Sequence, residues 1–159
     1  MTDETLDYLD SPLGRIWVST QDDTLTKVEF DSELFSDSDR ADRCSSQYGQ
    51  LVCRQLEEYF CQKRQTFELK LAPLGTQFQR EVWWALLKIP YGTTLSYADQ
   101  AALVKRPNAV RAVANANGAN PIPIIIPCHR VIAKSGGLGG YSLGVDKKEW
   151  LLKHEGSND

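Results

Sequence analysis

The 159-residue chain is short of histidine, of paired cysteines and of long apolar runs. No stretch reaches the roughly 18 apolar residues that a membrane-crossing helix needs, so no segment is expected to span a bilayer. The N-terminus, Met1-Thr2-Asp3-Glu4-Thr5, is acidic and lacks the basic and apolar parts of a secretory signal, which predicts a cytoplasmic protein. There the four cysteines, Cys44, Cys53, Cys61 and Cys128, are expected as thiols rather than as a disulfide frame. None of them forms a C-x-x-C pair. His129 and His154 are the only histidines and lie far from the first three cysteines, so a zinc site of the usual kind is not expected. The glycine-rich run from Ser135 to Gly140 lacks the G-x-x-x-x-G-K-[ST] pattern, which argues against a nucleotide-binding loop.

What is there is ordinary in total and uneven in distribution. With 42% hydrophobic and 25% charged residues, the composition is that of a globular protein of one domain or two small ones. The net charge of −3 argues against a nucleic-acid partner until it is divided. Residues 1–76 hold 8 Lys/Arg against 15 Asp/Glu, a net of −7, whereas residues 77–159 hold 10 against 6, a net of +4. An acidic front domain (1–75) and a basic working domain (76–159) are the expectation.

The front reads as β structure. Leu6 to Leu9 and Ile16-Trp17-Val18 flank the turn Ser11-Pro12-Leu13-Gly14, and Asp22-Asp23 precedes the alternating Leu25 to Phe30. Tyr48, Leu51, Val52, Leu56, Tyr59 and Phe60 fall at helical steps between Gln47 and Lys63, with Cys53 and Cys61 expected as packing residues. Phe67 to Leu71 alternates as a further strand, and 72–75 reads as a linker. Beyond it, Thr76 caps a helix through Val82, Trp83 and Leu86 that stops at Pro90-Tyr91-Gly92. Ser96 caps a short helix from Tyr97 to Val104. Lys105-Arg106-Pro107-Asn108 breaks it, with Pro107 expected in the first turn of a helix that continues over Ala109 to Asn117. That outline is a helix-turn-helix, although most helical hairpins bind nothing.

The segment from Asn120 to Val131 is the most unusual. Pro121, Pro123 and Pro127 alternate with isoleucines, which predicts a stiff, extended backbone leading to a buried Cys128. His129 and Arg130 follow, and a cation beside a thiol lowers its pKa. Taken alone, a Cys-His pair is more often a buried cysteine beside surface cations. Its company decides otherwise: Pro127-Cys128-His129-Arg130-Val131 stands with Phe78-Gln79-Arg80-Glu81-Val82-Trp83, Ile89-Pro90-Tyr91-Gly92, Ser96-Tyr97, Arg111-Ala112-Val113, Gly140-Tyr141-Ser142 and the run Lys148 to Gly156. In order and spacing these blocks, which cover residues 76–156, resemble the O6-alkylguanine-DNA alkyltransferases, or methylated-DNA–protein-cysteine methyltransferases. Residues 1–75 match more loosely, chiefly at Ser11-Pro12-Leu13-Gly14.

The resemblance implies an α+β fold: a small β-rich N-terminal domain, antiparallel sheet plus helix and ribonuclease H-like, and a mainly helical C-terminal domain with the helix-turn-helix. It implies that Cys128 accepts an alkyl group from O6 of guanine, and from O4 of thymine, in flipped-out bases of duplex DNA. His129 is implied as the base acting through a water, Glu155 as its orienter, and Asn120 as a hinge that shapes the site. Tyr97 is implied as a hydrogen-bond donor to a ring nitrogen of the base, Tyr141 and Ser142 as a closing loop, and the backbone at Cys128 and Val131 as readers of the base edge. Arg111 is implied as the side chain that enters the duplex in place of the flipped base. Lys105, Arg106 and Lys134 read equally as phosphate contacts or solvated charges. Arg130 is expected to pair inside the fold and His154 to lie at the surface. No cofactor and no metal are implied, and the protein is expected to act on DNA as a monomer, with cooperativity open. The alternatives are a lesion-binding module without chemistry, disfavoured because Cys128 is present, and a cysteine hydrolase, disfavoured because adjacent residues seldom supply both nucleophile and base.

Overall fold

The computed structural model describes residues 4–31, 44–133 and 137–156. The architecture is α+β, in two compact units, Met1–Leu74 and Gly75–Asp159. No helix among the described residues is long and apolar enough to cross a membrane.

In the N-terminal unit, β1 (Thr5–Ser11), β2 (Gly14–Gln21) and β3 (Thr24–Phe30) form an antiparallel sheet in that order. Asp22 and Asp23, both at positive φ (53° and 56°), make the primed turn whose twist matches its flanking strands. Helix α1 (Gln47–Phe60) buries Val52, Leu56 and Tyr59 on the side that packs against the sheet, where Ile16, Val18 and Leu25 are also buried. Its N-cap Ser46 accepts from the Gly49 N–H at 2.8 Å, while Asp7 on β1 accepts from the Ser46 N–H at 3.2 Å. One carboxylate thus ties a strand to the positive end of the helix.

Two expectations are corrected here. Residues 67–71 form no strand; only Leu71 bridges to Leu25. The reason lies in helix side chains that occupy the backbone groups a ladder would use. Gln55 accepts from the Glu68 N–H at 3.0 Å, and the Tyr48 hydroxyl accepts from the Lys70 N–H at 2.7 Å. Cys53 is buried as expected of a packing residue, but Cys61 is exposed, because the helix ends one residue before it and Cys61 serves as its C-cap.

In the C-terminal unit, Thr76 and Gln79 form a reciprocal capping box at the start of α2 (Gln77–Leu86). Trp83 is the largest side chain of the core and donates its Nε1–H to the Ala116 carbonyl at 2.8 Å. The two-residue strands β4 (Leu95–Ser96) and β5 (Val131–Ile132) pair in parallel. Between them run α3 (Tyr97–Leu103), capped by Ser96, and α4 (Val110–Gly118); α5 (Val145–His154) closes the unit. Pro107 lies in the connection between α3 and α4, before the N-cap Ala109, and not in the first turn of α4. The chain reverses there through Lys105 at φ 62°, which delays the second helix.

The segment before Cys128 also differs from expectation. It is not extended but folded into successive tight turns: Ile125 N–H to Pro123 O, Ile126 N–H to Ile122 O and Cys128 N–H to Ile126 O, at 2.8 to 2.9 Å. Proline fixes φ at a value shared by turns and extended chain, so the prolines did not decide between them. Asn120 does: its Oδ1 accepts from the Ile122 N–H at 2.9 Å and its Nδ2 donates to the Ile126 carbonyl at 2.7 Å, closing the loop on itself. Ile124 is held at φ 73°, a left-handed conformation that costs a β-branched residue about 1–3 kcal/mol, and its side chain is buried.

Candidate active site

The looped segment delivers Cys128 to the start of a single 3-10 turn, Cys128–Arg130. The thiol is buried and borders a cavity of about 490 Å³. Tyr97, Tyr141 and Ser142 line one part of that cavity, and Ala114, Asn117 and Gly118 of α4 another. Helix-turn-helix and cysteine thus share one opening. The Asn120 Nδ2 that ties the loop also lies 3.3 Å from Cys128 Sγ. Burial pushes the Cys128 thiol up, while the Asn120 hydrogen bond and the Lys148 charge pull it down, and burial prevails. In the resting site the cysteine therefore holds its proton, and nucleophilic attack needs a base.

A base stands next in the chain. The His129 side chain is fully buried, with Nε2 2.8 Å from Glu155 Oε2. Arg130 donates to the same carboxylate twice, Nε to Oε1 at 2.8 Å and Nη2 to Oε2 at 3.0 Å, and from Nη1 to the Ile89 carbonyl at 2.7 Å. Burial alone would raise the Glu155 carboxyl; the hydrogen bonds from His129 and Arg130 instead hold it well below the usual carboxylate range. Burial also lowers the pKa of His129, with the Arg130 and Lys148 charges adding to it against the pull of Glu155. The imidazole is consequently neutral. Its Nε2 proton faces Glu155, and its Nδ1 has no hydrogen-bond partner among the described residues. A neutral, oriented imidazole with a free lone pair is what proton abstraction requires.

The remaining predicted residues fall as follows. The Tyr97 hydroxyl is at the cavity and donates to the Gly140 carbonyl at 3.4 Å. The Tyr141 hydroxyl is buried near the Cys128 thiol, but outside hydrogen-bond geometry. Gly139, at φ 72°, presses on Tyr97: a Cβ there would lie 2.8 Å from the hydroxyl oxygen, so the loop needs glycine to pass. Val131 is buried with both backbone groups engaged, its N–H with Cys128 O and its carbonyl with Lys148 Nζ. Arg111 is exposed in the first turn of α4. Arg106 is exposed but paired with Glu81 at 3.1 Å, and Lys134 lies outside the described residues. Among those residues no group of His, Cys, Asp and Glu is placed to hold a metal ion.

One residue escaped the sequence reading. Lys148 is fully buried, and its Nζ donates to the Val131 carbonyl at 2.6 Å and the Gly140 carbonyl at 3.1 Å, joining the strand after Cys128 to the loop that borders the cavity. Burial lowers its pKa to about 8. A signal existed, because Lys148 falls on the apolar face of α5 with Leu151 and Leu152, where a lysine must find partners. Replacing Lys148 with methionine is expected to raise the Cys128 pKa. A thiolate absorbance titration, corrected against a Cys128→Ser control, should show the transition move to higher pH; an unmoved transition would remove Lys148 from the electrostatics of the site.

Fold and site together define a two-unit protein whose helix-turn-helix unit carries a buried cysteine and a neutral histidine at a cavity of about 490 Å³. Comparison with known proteins makes the assignment specific: the chain belongs to the 6-O-methylguanine DNA methyltransferases, residues 77–157 matching the family's DNA-binding domain and residues 6–73 its ribonuclease-like domain. The methylated-DNA–protein-cysteine methyltransferase of Methanosarcina barkeri is 45% identical over 153 residues, 96% of this chain and 97% of the relative. That of Salmonella typhimurium is 41% identical, covering 92% of each chain. The crystal structure of Mycobacterium tuberculosis O6-methylguanine methyltransferase superposes with a TM-score of 0.85 at 39% identity, over 98% of this chain and 94% of that one. The Mycobacterium tuberculosis OGT in complex with DNA gives the same TM-score and identity over 97% and 94%.

Proposed function

We propose that this protein repairs alkylated duplex DNA directly, moving the alkyl group from O6 of guanine, and from O4 of thymine, onto Cys128. The observation that carries the reading is a buried thiol at a cavity walled by the helix-turn-helix, beside a neutral imidazole whose outer nitrogen is held by an ionised carboxylate. His129 Nδ1 takes the Cys128 proton across a bridging water, and the positive charge formed on the ring is met by Glu155. The sulfur attacks the first carbon of the alkyl group, the S–C bond forms and the O6–C bond breaks. Its electron pair passes to the base, which takes one proton, with Tyr97 as donor to the ring. A thioether is stable toward the side chains described around Cys128, so in this reading each molecule acts once, working as a monomer in the cytoplasm. The thiolate supplies all of the chemistry, with no cofactor.

The target oxygen lies within the base stack, so the nucleotide must leave the duplex at a cost of a few kcal/mol. Arg111, exposed in the first turn of α4, is the side chain we assign to fill the gap, a role its long planar cation suits. Arg111→Ala is expected to slow repair of duplex DNA by about tenfold, equivalent to about 1.4 kcal/mol of the barrier. Reaction with the free base O6-benzylguanine should proceed at the wild-type rate. Equal rates on duplex for variant and wild type would remove Arg111 from base extrusion.

A further inference from the structure

Gln100 on α3 and Asn117 on α4 are both buried and exchange two hydrogen bonds, Gln100 Nε2 to Asn117 Oδ1 and Asn117 Nδ2 to Gln100 Oε1, each 2.7 Å. The pair joins the two helices of the helix-turn-helix. An apolar pair of similar volume would join them as well, since replacing both partners of a buried hydrogen bond by apolar groups is nearly neutral. Cohesion alone therefore does not account for two amides in this place. Their position does. Asn117 lines the cavity beside Cys128, whereas its α4 neighbours there, Ala114 and Gly118, carry no polar side-chain atom. A carboxamide has two N–H donors, and the reciprocal pair consumes one from each partner. Gln100 is wholly enclosed, while Asn117 keeps a small exposed area. Asn117 is therefore the member of the pair at the cavity wall, with one N–H that Gln100 does not consume, and the two bonds to Gln100 fix its amide.

We propose that Asn117, oriented by Gln100, is a hydrogen-bonding subsite for the alkyl part of the lesion, favouring O6-alkyl groups with an oxygen on the second carbon, such as 2-hydroxyethyl and carboxymethyl, over hydrocarbon groups of the same size. The inference rests on the alkyl-transfer reading. In the reaction Cys128 sulfur bonds the first carbon, the O6–C bond breaks and its electron pair leaves with the guanine, which gains one proton. The distal oxygen is untouched, so Asn117 acts by positioning.

The test compares single-turnover transfer from duplexes carrying O6-methyl-, O6-(2-hydroxyethyl)- and O6-propylguanine. Hydroxyethyl and propyl have equal numbers of non-hydrogen atoms, so their rate ratio reads the distal oxygen. In the wild-type protein that ratio should exceed the one found when a small aliphatic thiolate in solution reacts with the same modified nucleosides. In a Q100L/N117L variant, which keeps the packing apolar and balanced, the ratio should fall about tenfold, the loss of one hydrogen bond of about 1.4 kcal/mol. A variant that slows hydroxyethyl and propyl transfer equally would make the pair purely structural and overturn the proposal. A wild-type ratio equal to that of the free thiolate would overturn it without any variant. Failure of the wild-type protein to accept even methyl would instead sink the alkyl-transfer reading beneath it.

Discussion

Glu155→Ala is expected to cost about 3–5 kcal/mol of stability, because removing one partner from a buried ionic cluster leaves the others uncompensated. Two buried groups depend on this carboxylate: Arg130 through two hydrogen bonds and His129 through one. Glu155 is also the C-cap of α5, where the helix end already repels a negative charge. The carboxylate is there because Arg130 and His129 outweigh that repulsion, so the three residues form one unit. Denaturant unfolding of variant and wild type at neutral pH checks the expectation. A loss within about 0.5 kcal/mol, as found for ordinary surface substitutions, would show that the cluster holds nothing together.

The same cluster sets the response to acid. The folded-state pKa of Glu155 lies below its ordinary value of 4.5, so its contribution is present above that pH and is lost as pH falls toward the folded-state value. His129 acts in the same direction. Its folded pKa is below 6.5, so below that pH the unfolded chain gains a proton that the folded one resists. Stability should therefore decline from about pH 6.5 downward, and more steeply through the carboxylate range. A Glu155→Gln variant, already weakened at pH 7, should show a shallower decline through the carboxylate range; an identical slope would mean that Glu155 does not titrate as described.

The second large effect is chemical. Cys128→Ser replaces a thiol with an alcohol whose oxygen stays protonated, and no group in the site is basic enough to ionise it. Transfer should fall below detection, while α4 and Arg111 remain in place and lesion-containing DNA is still bound. Band-shift titration and transfer assays on one preparation separate the two. Loss of both together would mean that Cys128 supports the fold of the cavity more than it reacts.

Much of this was legible in the chain. The turns at Pro12-Leu13 and Asp22-Asp23, the Thr76 and Ser96 caps and the period of α1 each rest on interactions between near neighbours in sequence. The elements that misled depend on partners distant in sequence. Residues 67–71 alternate like a strand, yet Gln55 and Tyr48 occupy their backbone groups. Residues 120–127 read as extended because proline suits both conformations, and only the two-ended hydrogen bonding of Asn120 selects the turns. In the site, Cys128 and His129 announce themselves as neighbours. The His129–Glu155 pairing was legible only through the family resemblance, and the apolar face of α5 showed that Lys148 needs partners without naming them. Arg130's share of Glu155, the carbonyls Lys148 meets and the Gln100–Asn117 pair each join residues 8 or more positions apart, and no local pattern encodes which residues meet.

The central claim is that Cys128 itself becomes the product. Mixing the protein with an excess of duplex carrying O6-methylguanine and weighing the intact chain, then its peptides, tests this most directly. The account predicts one added CH2 per molecule, located on Cys128, with an equal amount of guanine restored and no further turnover. Unchanged protein mass with the lesion still bound, repeated turnover, or a label on Cys44, Cys53 or Cys61 would contradict it.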